Sequence, residues 1–88
     1  FSVFGGEETL VCIKLKNELV GVIFDKFGPD VPIIKCDENH FICRVKVAVS
    51  PHFLTWVMSF GKRAEIVSPD SVVEEMKRLL QEIYDIYN

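Results

Sequence analysis

Apolar residues in this chain alternate between a period of two and a period of three to four, and each change of period marks a new element. From Glu8 to Lys16, Val11, Ile13 and Leu15 alternate with Cys12, Lys14 and Lys16. That pattern predicts a strand with one buried and one partly charged face. Leu19, Val20, Ile23, Phe24 and Phe27 then recur at helical spacing, with Asn17 placed as N-cap and Gly28 just past the end. Val31 to Cys36 reads as a strand, and Pro32, which cannot donate to a ladder, assigns it to a sheet edge. Asp37-Glu-Asn-His40 is a polar hairpin turn. Phe41 to Val49 returns with Phe41, Cys43, Val45, Val47 and Val49 on one side, and Ile42, Arg44, Lys46 and Ala48 on the other.

Ser50-Pro51 is a cap followed by proline at the first helical position, and the helix carries Phe53, Leu54, Trp56, Val57 and Phe60 up to Gly61. Lys62 to Val67 predicts a short fourth strand. Ser68-Pro69 repeats the cap-and-proline signal, with Ser71 to Glu74 as an alternative capping box. The final helix places Val72, Val73, Met76, Leu79, Leu80, Ile83 and Tyr87 on one stripe. The order is an α+β one, and two split strand-helix-strand units fit it economically. The expected fold is a ferredoxin-like βαββαβ sandwich with an additional C-terminal helix, its first and third strands central and one sheet face open.

With 88 residues there is room for one domain, and hydrophobic and charged fractions of 49% and 26% are those of a globular chain. Phe1 to Glu7, with its Gly5-Gly6 pair, reads as a linker from an upstream domain, and residues 8–88 as a single regulatory domain. Three cysteines, Cys12, Cys36 and Cys43, do not make a disulfide framework, which points to a reducing, cytoplasmic setting. No apolar run approaches the length of a membrane span.

Ten Lys and Arg against 13 Asp and Glu give a net charge of -3, which speaks against non-specific duplex-DNA binding. Strand phase changes that picture. If the first and third strands are neighbours, Lys14, Lys16, Arg44 and Lys46 gather on the open face with no carboxylate among them, and an anionic effector or acidic partner surface is the expected ligand. Base stacking is not expected there, because the other open positions are Leu10, Cys12, Ile42 and Ala48 and Phe41 has the opposite phase.

Other constellations carry less. Cys36, His40 and Cys43 match no common zinc spacing and supply only three of four ligands, so no metal site is expected. His52 has no carboxylate partner in sequence, and no acid, base and nucleophile converge, so no catalytic residues, no enzymatic activity and no cofactor are expected. Trp56 is large and amphipathic enough to anchor an interface, and Tyr84 and Tyr87 are further interface candidates.

Phe53-Leu-Thr-Trp-Val-Met-Ser-Phe-Gly61, Ala64-Glu-Ile-Val-Ser-Pro69 and the helix from Val72 to Tyr87, together with the strand from Leu10 to Lys16, resemble the C-terminal extension of WYL-domain transcriptional regulators. The resemblance spans nearly the whole chain. It implies a bacterial cytoplasmic regulator whose helix-turn-helix DNA-binding domain and WYL domain lie upstream of Phe1 as partners in the same polypeptide. The Trp-Tyr-Leu triad of that family is not in this chain, and Trp56 is not its tryptophan. The resemblance further implies effector sensing, in some members of single-stranded nucleic acid, and a homodimer. Two other readings stand beside it. One is a small-molecule sensor of the amino-acid-binding type, centred on Gly28-Pro29-Asp30; the other is a structural oligomerisation module built on the final helix.

Overall fold

A computed structural model of the chain describes residues 7–88. The proposed linker, apart from Glu7, therefore lies outside the described residues. Four strands, β1 (Glu8–Lys16), β2 (Ile33–Lys35), β3 (His40–Ala48) and β4 (Ala64–Ser68), form one antiparallel sheet in the order β2-β3-β1-β4. Helices α1 (Val20–Phe27), α2 (Pro51–Met58) and α3 (Asp70–Ile86) complete an α+β architecture. The first and third strands are central, and β2 is an edge strand.

The strand phases read from the sequence hold except at the end of β3, where Ala48, expected on the open face, is buried and Val49 lies half-buried beyond the strand. Val11, Ile13 and Leu15 of β1 and Phe41, Cys43, Val45 and Val47 of β3 are buried. They form one core with Leu19, Ile23, Phe53, Leu54, Val57, Ile66 and Val72, so the helices cover that face. Each large apolar side chain removed from water there contributes roughly 1.5–3 kcal/mol. The opposite face is left open.

Element ends differ where local hydrogen bonding competes with the apolar pattern. The first helical segment opens as a 3-10 turn, Asn17–Leu19, before α1. Asn17 does not cap it; its amide Nδ2 donates instead to the Glu38 carbonyl at 2.9 Å, and its backbone N–H to Asn39 O at 2.9 Å. Those two bonds tie the end of β1 to the β2–β3 turn. Gly28 does end α1, at φ 95°, a conformation in which a Cβ is strained, and its N–H closes on Phe24 O at 2.9 Å.

β2 is shorter than its apolar run, because Val31 and Pro32 precede the ladder; the Pro32 carbonyl still accepts from the Arg44 N–H at 3.3 Å. Ser50 caps α2 as expected, its Oγ accepting from the Phe53 N–H at 3.2 Å. The fourth strand begins late, since Gly61–Arg63 forms a 3-10 turn. Neither cap proposed for the last helix forms: α3 starts at Asp70 with no side-chain cap, which puts Ser71 inside it and rules out the Ser71–Glu74 box.

Candidate functional site

The open face is built by the register of the two central strands. Leu10 pairs with Lys46, Cys12 with Arg44, Lys14 with Ile42 and Lys16 with His40. Directly paired residues share a face, so Lys14, Lys16, Arg44 and Lys46 stand on one surface. The four cations do not form a square. Lys46 and Arg44 occupy β3 at one end and Lys14 and Lys16 occupy β1 at the other, which makes a diagonal row. Steps along a strand are about 7 Å and the crossing from Arg44 to Lys14 is about 8 Å, from a rise near 3.4 Å per residue and strands 4.8 Å apart.

Arg44 and Lys46 are exposed, and Lys14 and Lys16 half-buried. Among the described residues none of the four enters an ion pair; pairs found elsewhere include His40–Asp37, Arg63–Glu18 and Lys77–Glu74. The expectation of a face free of carboxylates is corrected by β4. Its pairing with β1 sets Glu65 directly across from Lys14. The sequence pattern of β4 alone places Glu65 opposite in phase to the buried Ile66, but only the β1–β4 register makes it a neighbour of Lys14.

Apolar side chains flank the diagonal: Leu10 and Ile34 are about half exposed (51% and 49%), and Ile34 pairs with Ile42. Among the described residues of this face there is no Phe, Tyr or Trp, Phe41 being buried on the other side. The surface is suited to phosphate or carboxylate groups and to aliphatic contact, and the planar groups it offers a base are the His40 imidazole opposite Lys16 and the Arg44 guanidinium.

At the Lys16 end lies the β2–β3 turn. Asp37 Oδ1 receives His40 Nδ1 at 2.8 Å and the Asn39 N–H at 2.8 Å. The hydrogen bond from His40 first, and that from the Asn39 backbone second, hold the Asp37 carboxyl below its ordinary value of 3.8. The carboxylate thereby fixes the imidazole through Nδ1, leaving Nε2 as the nitrogen not engaged by Asp37. A small depression near this end is lined by Lys14, His40, Lys62, Arg63, Ala64 and Glu65. Sequence reasoning missed His40, Lys62 and Arg63 as companions of Lys14. The adjacent basic pair after Gly61 was visible, but its neighbours depend on β4 lying beside β1.

The interface candidates fall in separate places. Trp56 is half-buried in an aromatic cluster, edge-on to Phe27 at 5.6 Å and Phe60 at 5.1 Å and stacked on Phe53 at 6.3 Å. Tyr84, in the last turn of α3, and Tyr87, just past its end, are 64% and 85% exposed, beyond Leu79, which still packs against the core. Cys43 is buried and its thiol is pushed up to about 11, first by burial and then by the neighbouring Cys12; all three cysteines are free. Among the described residues no group of three or more His, Cys, Asp or Glu is placed to hold a metal ion. No helix of the described residues is long and apolar enough to cross a membrane.

The family model of the WCX domain matches residues 9–84, a span that takes in all four strands, α1 and α2, and α3 almost to its end. The chain is a WCX domain. WCX domains are the C-terminal extension of WYL-type regulators, a family of regulatory domains in transcription regulators. No curated protein and no solved structure matched the chain. The match agrees with the resemblance read from the Trp56 helix, the β4 strand and the α3 stripe, and within the WCX domain the four cations belong to the two central strands.

Proposed function

We propose that this WCX domain is the effector-response module of a bacterial WYL-type transcription regulator, and that Lys14, Lys16, Arg44 and Lys46 bind an anionic effector such as a single-stranded nucleic acid or a nucleotide. The observation that carries the reading is the diagonal of four cations on an otherwise open sheet face, without ion pairs among the described residues. Clustered like charges raise the local potential even in a protein of net charge -3. That no Phe, Tyr or Trp stands on this face among the described residues favours contact with phosphates over reading of bases. In this reading the sheet order β2-β3-β1-β4 is that of a ferredoxin-like sandwich with α3 appended. The upstream WYL and DNA-binding domains of the same polypeptide are its partners in a cytoplasmic homodimer, with Trp56, Tyr84 and Tyr87 as contact candidates.

The test is a titration of the intact regulator with short single-stranded oligonucleotides at two salt concentrations, repeated with Lys14, Lys16, Arg44 and Lys46 each changed to Glu. Loss of a phosphate contact lowers the slope of log affinity against log salt by about 0.7 for single strands. Affinity and slope unchanged by all four reversals would discard the reading.

One observation favours a second reading. A cleft of about 530 Å³ is lined by Leu10, Phe27, Asp30, Val31, Pro32, Arg44, Val45 and Lys46. It sets a carboxylate and a guanidinium around an apolar wall, the complement of a free amino acid, at the Gly28-Pro29-Asp30 turn. A thermal-shift screen of amino acids against nucleotides separates the two, and stabilisation by an amino acid that is abolished in Asp30→Asn selects the second.

A further inference from the structure

We infer that the depression between β1, β3 and the start of β4 is a binding site for a phosphomonoester group, formed by Lys14, His40, Lys62 and Arg63. It deepens the anionic-effector reading, with which it shares Lys14, by naming an end group that such a ligand would carry.

The size comes first. The depression has a volume of about 50 Å³, which suits a compact head group such as one tetrahedral oxyanion, with the rest of a larger ligand lying outside it. The donors come second. Lys14 enters from the central strand β1, His40 from the first position of β3, and Lys62 and Arg63 from the 3-10 turn that leads into β4. Two ammonium groups, a guanidinium held by its Nε on the Phe60 carbonyl at 3.2 Å with its Nη groups left to reach outward, and an imidazole oriented by Asp37 make a donor set suited to several oxygens of one phosphate.

The carboxylates come third, and they do not cancel the site. Arg63 Nη1 meets Glu18 at 3.7 Å with both side chains largely exposed, a pair that water weakens to little net worth. Asp37 holds His40 through Nδ1 only. Glu65 is the one carboxylate in the lining; in the empty site it offsets Lys14, and it opposes an incoming dianion. Lys16, across the ladder from His40, adds a cation at the same end of the sheet.

The probe is inorganic phosphate, titrated into the 15N-labelled 88-residue chain against chloride at matched ionic strength and followed by amide chemical shifts. Saturable shifts centred on residues 14, 40 and 62–65 are expected with phosphate and not with chloride. Lys62→Gln weakens binding about two- to fivefold and Glu65→Gln strengthens it by a similar factor, the range expected for exposed charge pairs. Arg78→Gln, exposed on α3 and outside the lining, leaves phosphate binding unchanged. Shifts that chloride reproduces, or a phosphate affinity indifferent to both Lys62→Gln and Glu65→Gln, overturn the assignment. Opposite responses in the two variants cannot come from unfolding.

A second arm compares one short oligonucleotide with a 5′-phosphate and with a 5′-hydroxyl on the intact regulator. Tighter binding of the phosphorylated strand, abolished by Lys62→Gln, identifies a strand end as the source. Equal binding of both, with localised phosphate binding retained, identifies a small phosphorylated molecule. The two readings fail separately: charge reversal at Arg44 and Lys46 tests the sheet face, and the phosphate titration tests the pocket.

Discussion

The thiol of Cys43 offers a test of how dry the centre of this domain is. Cys43 sits in β3 between Ile13 of β1 and Ile33 of β2, fully buried, and its thiol is raised from 9.0 to about 11, chiefly by burial and then by the neighbouring Cys12. In the unfolded chain the thiol ionises near 9.0, while in the folded chain it stays protonated until about 11. Between those values the unfolded state binds fewer protons, so stability falls as pH rises; below pH 9 the group has no effect. Each pH unit in that window costs about 1.4 kcal/mol, and the whole shift amounts to about 2–3 kcal/mol.

Cys43→Ala provides the comparison, because the other alkaline groups are common to both proteins and, apart from the coupled Cys12, cancel in the difference. The variant loses the packing of one sulfur and is less stable at neutral pH by roughly 1–2 kcal/mol. Above pH 9 the parent loses stability that the variant keeps, so the two curves cross near pH 10, by roughly 1.4 kcal/mol per unit. Urea unfolding at 25 °C from pH 7 to 10.5, at constant ionic strength and with reductant present, measures both. A difference between parent and variant that stays constant to pH 10.5 would refute the argument, since it would mean that solvent reaches Cys43 in the folded state.

Ser50→Ala removes the side-chain N-cap bond of α2, the acceptor for the Phe53 N–H, and is expected to cost about 1 kcal/mol in denaturant unfolding, with Ser50→Asp near neutral. A cost as large for Ser50→Asp as for alanine would show that the cap bond is not the cause. Asp37 titrates in the folded state below its ordinary value of 3.8, so its contribution is present above that value and is lost as pH falls through the lowered one. Asp37→Asn is therefore expected to differ from the parent most at neutral pH and least at strongly acid pH, read as the difference between acid-unfolding curves.

The four-cation face was legible because it needs only strand phase and one adjacency. Buried Val11, Ile13 and Leu15 force Lys14 and Lys16 to the other side of β1, and the same alternation sends Arg44 and Lys46 outward from β3. Pro32 marked the edge strand for a similarly local reason, its missing N–H. The depression at the end of the sheet was not legible. Lys14 and Lys62 are far apart in sequence, and their approach depends on β4 pairing with β1 in a register that also shifts between Cys12 and Ile13. The Asn17 cap and the alternative Ser71–Glu74 box do not form, because Asn17 is drawn to the Glu38 carbonyl and Ser71 lies inside α3.

The sequence by itself determined the order of strands and helices, the buried side of each, the Ser50 cap and the Gly28 stop, since these follow from side-chain periodicity and backbone freedom within a few residues. Its short motifs in the Trp56 helix, β4 and α3 also pointed to the extension of WYL-type regulators before any fold was known. Only the tertiary structure decided which charges meet. It turned the four cations into a diagonal, put Glu65 across from Lys14, and brought His40, Lys62 and Arg63 to the same end of the sheet. Those outcomes depend on inter-strand register, and a shift of one residue there sends every side chain of a strand to the opposite face.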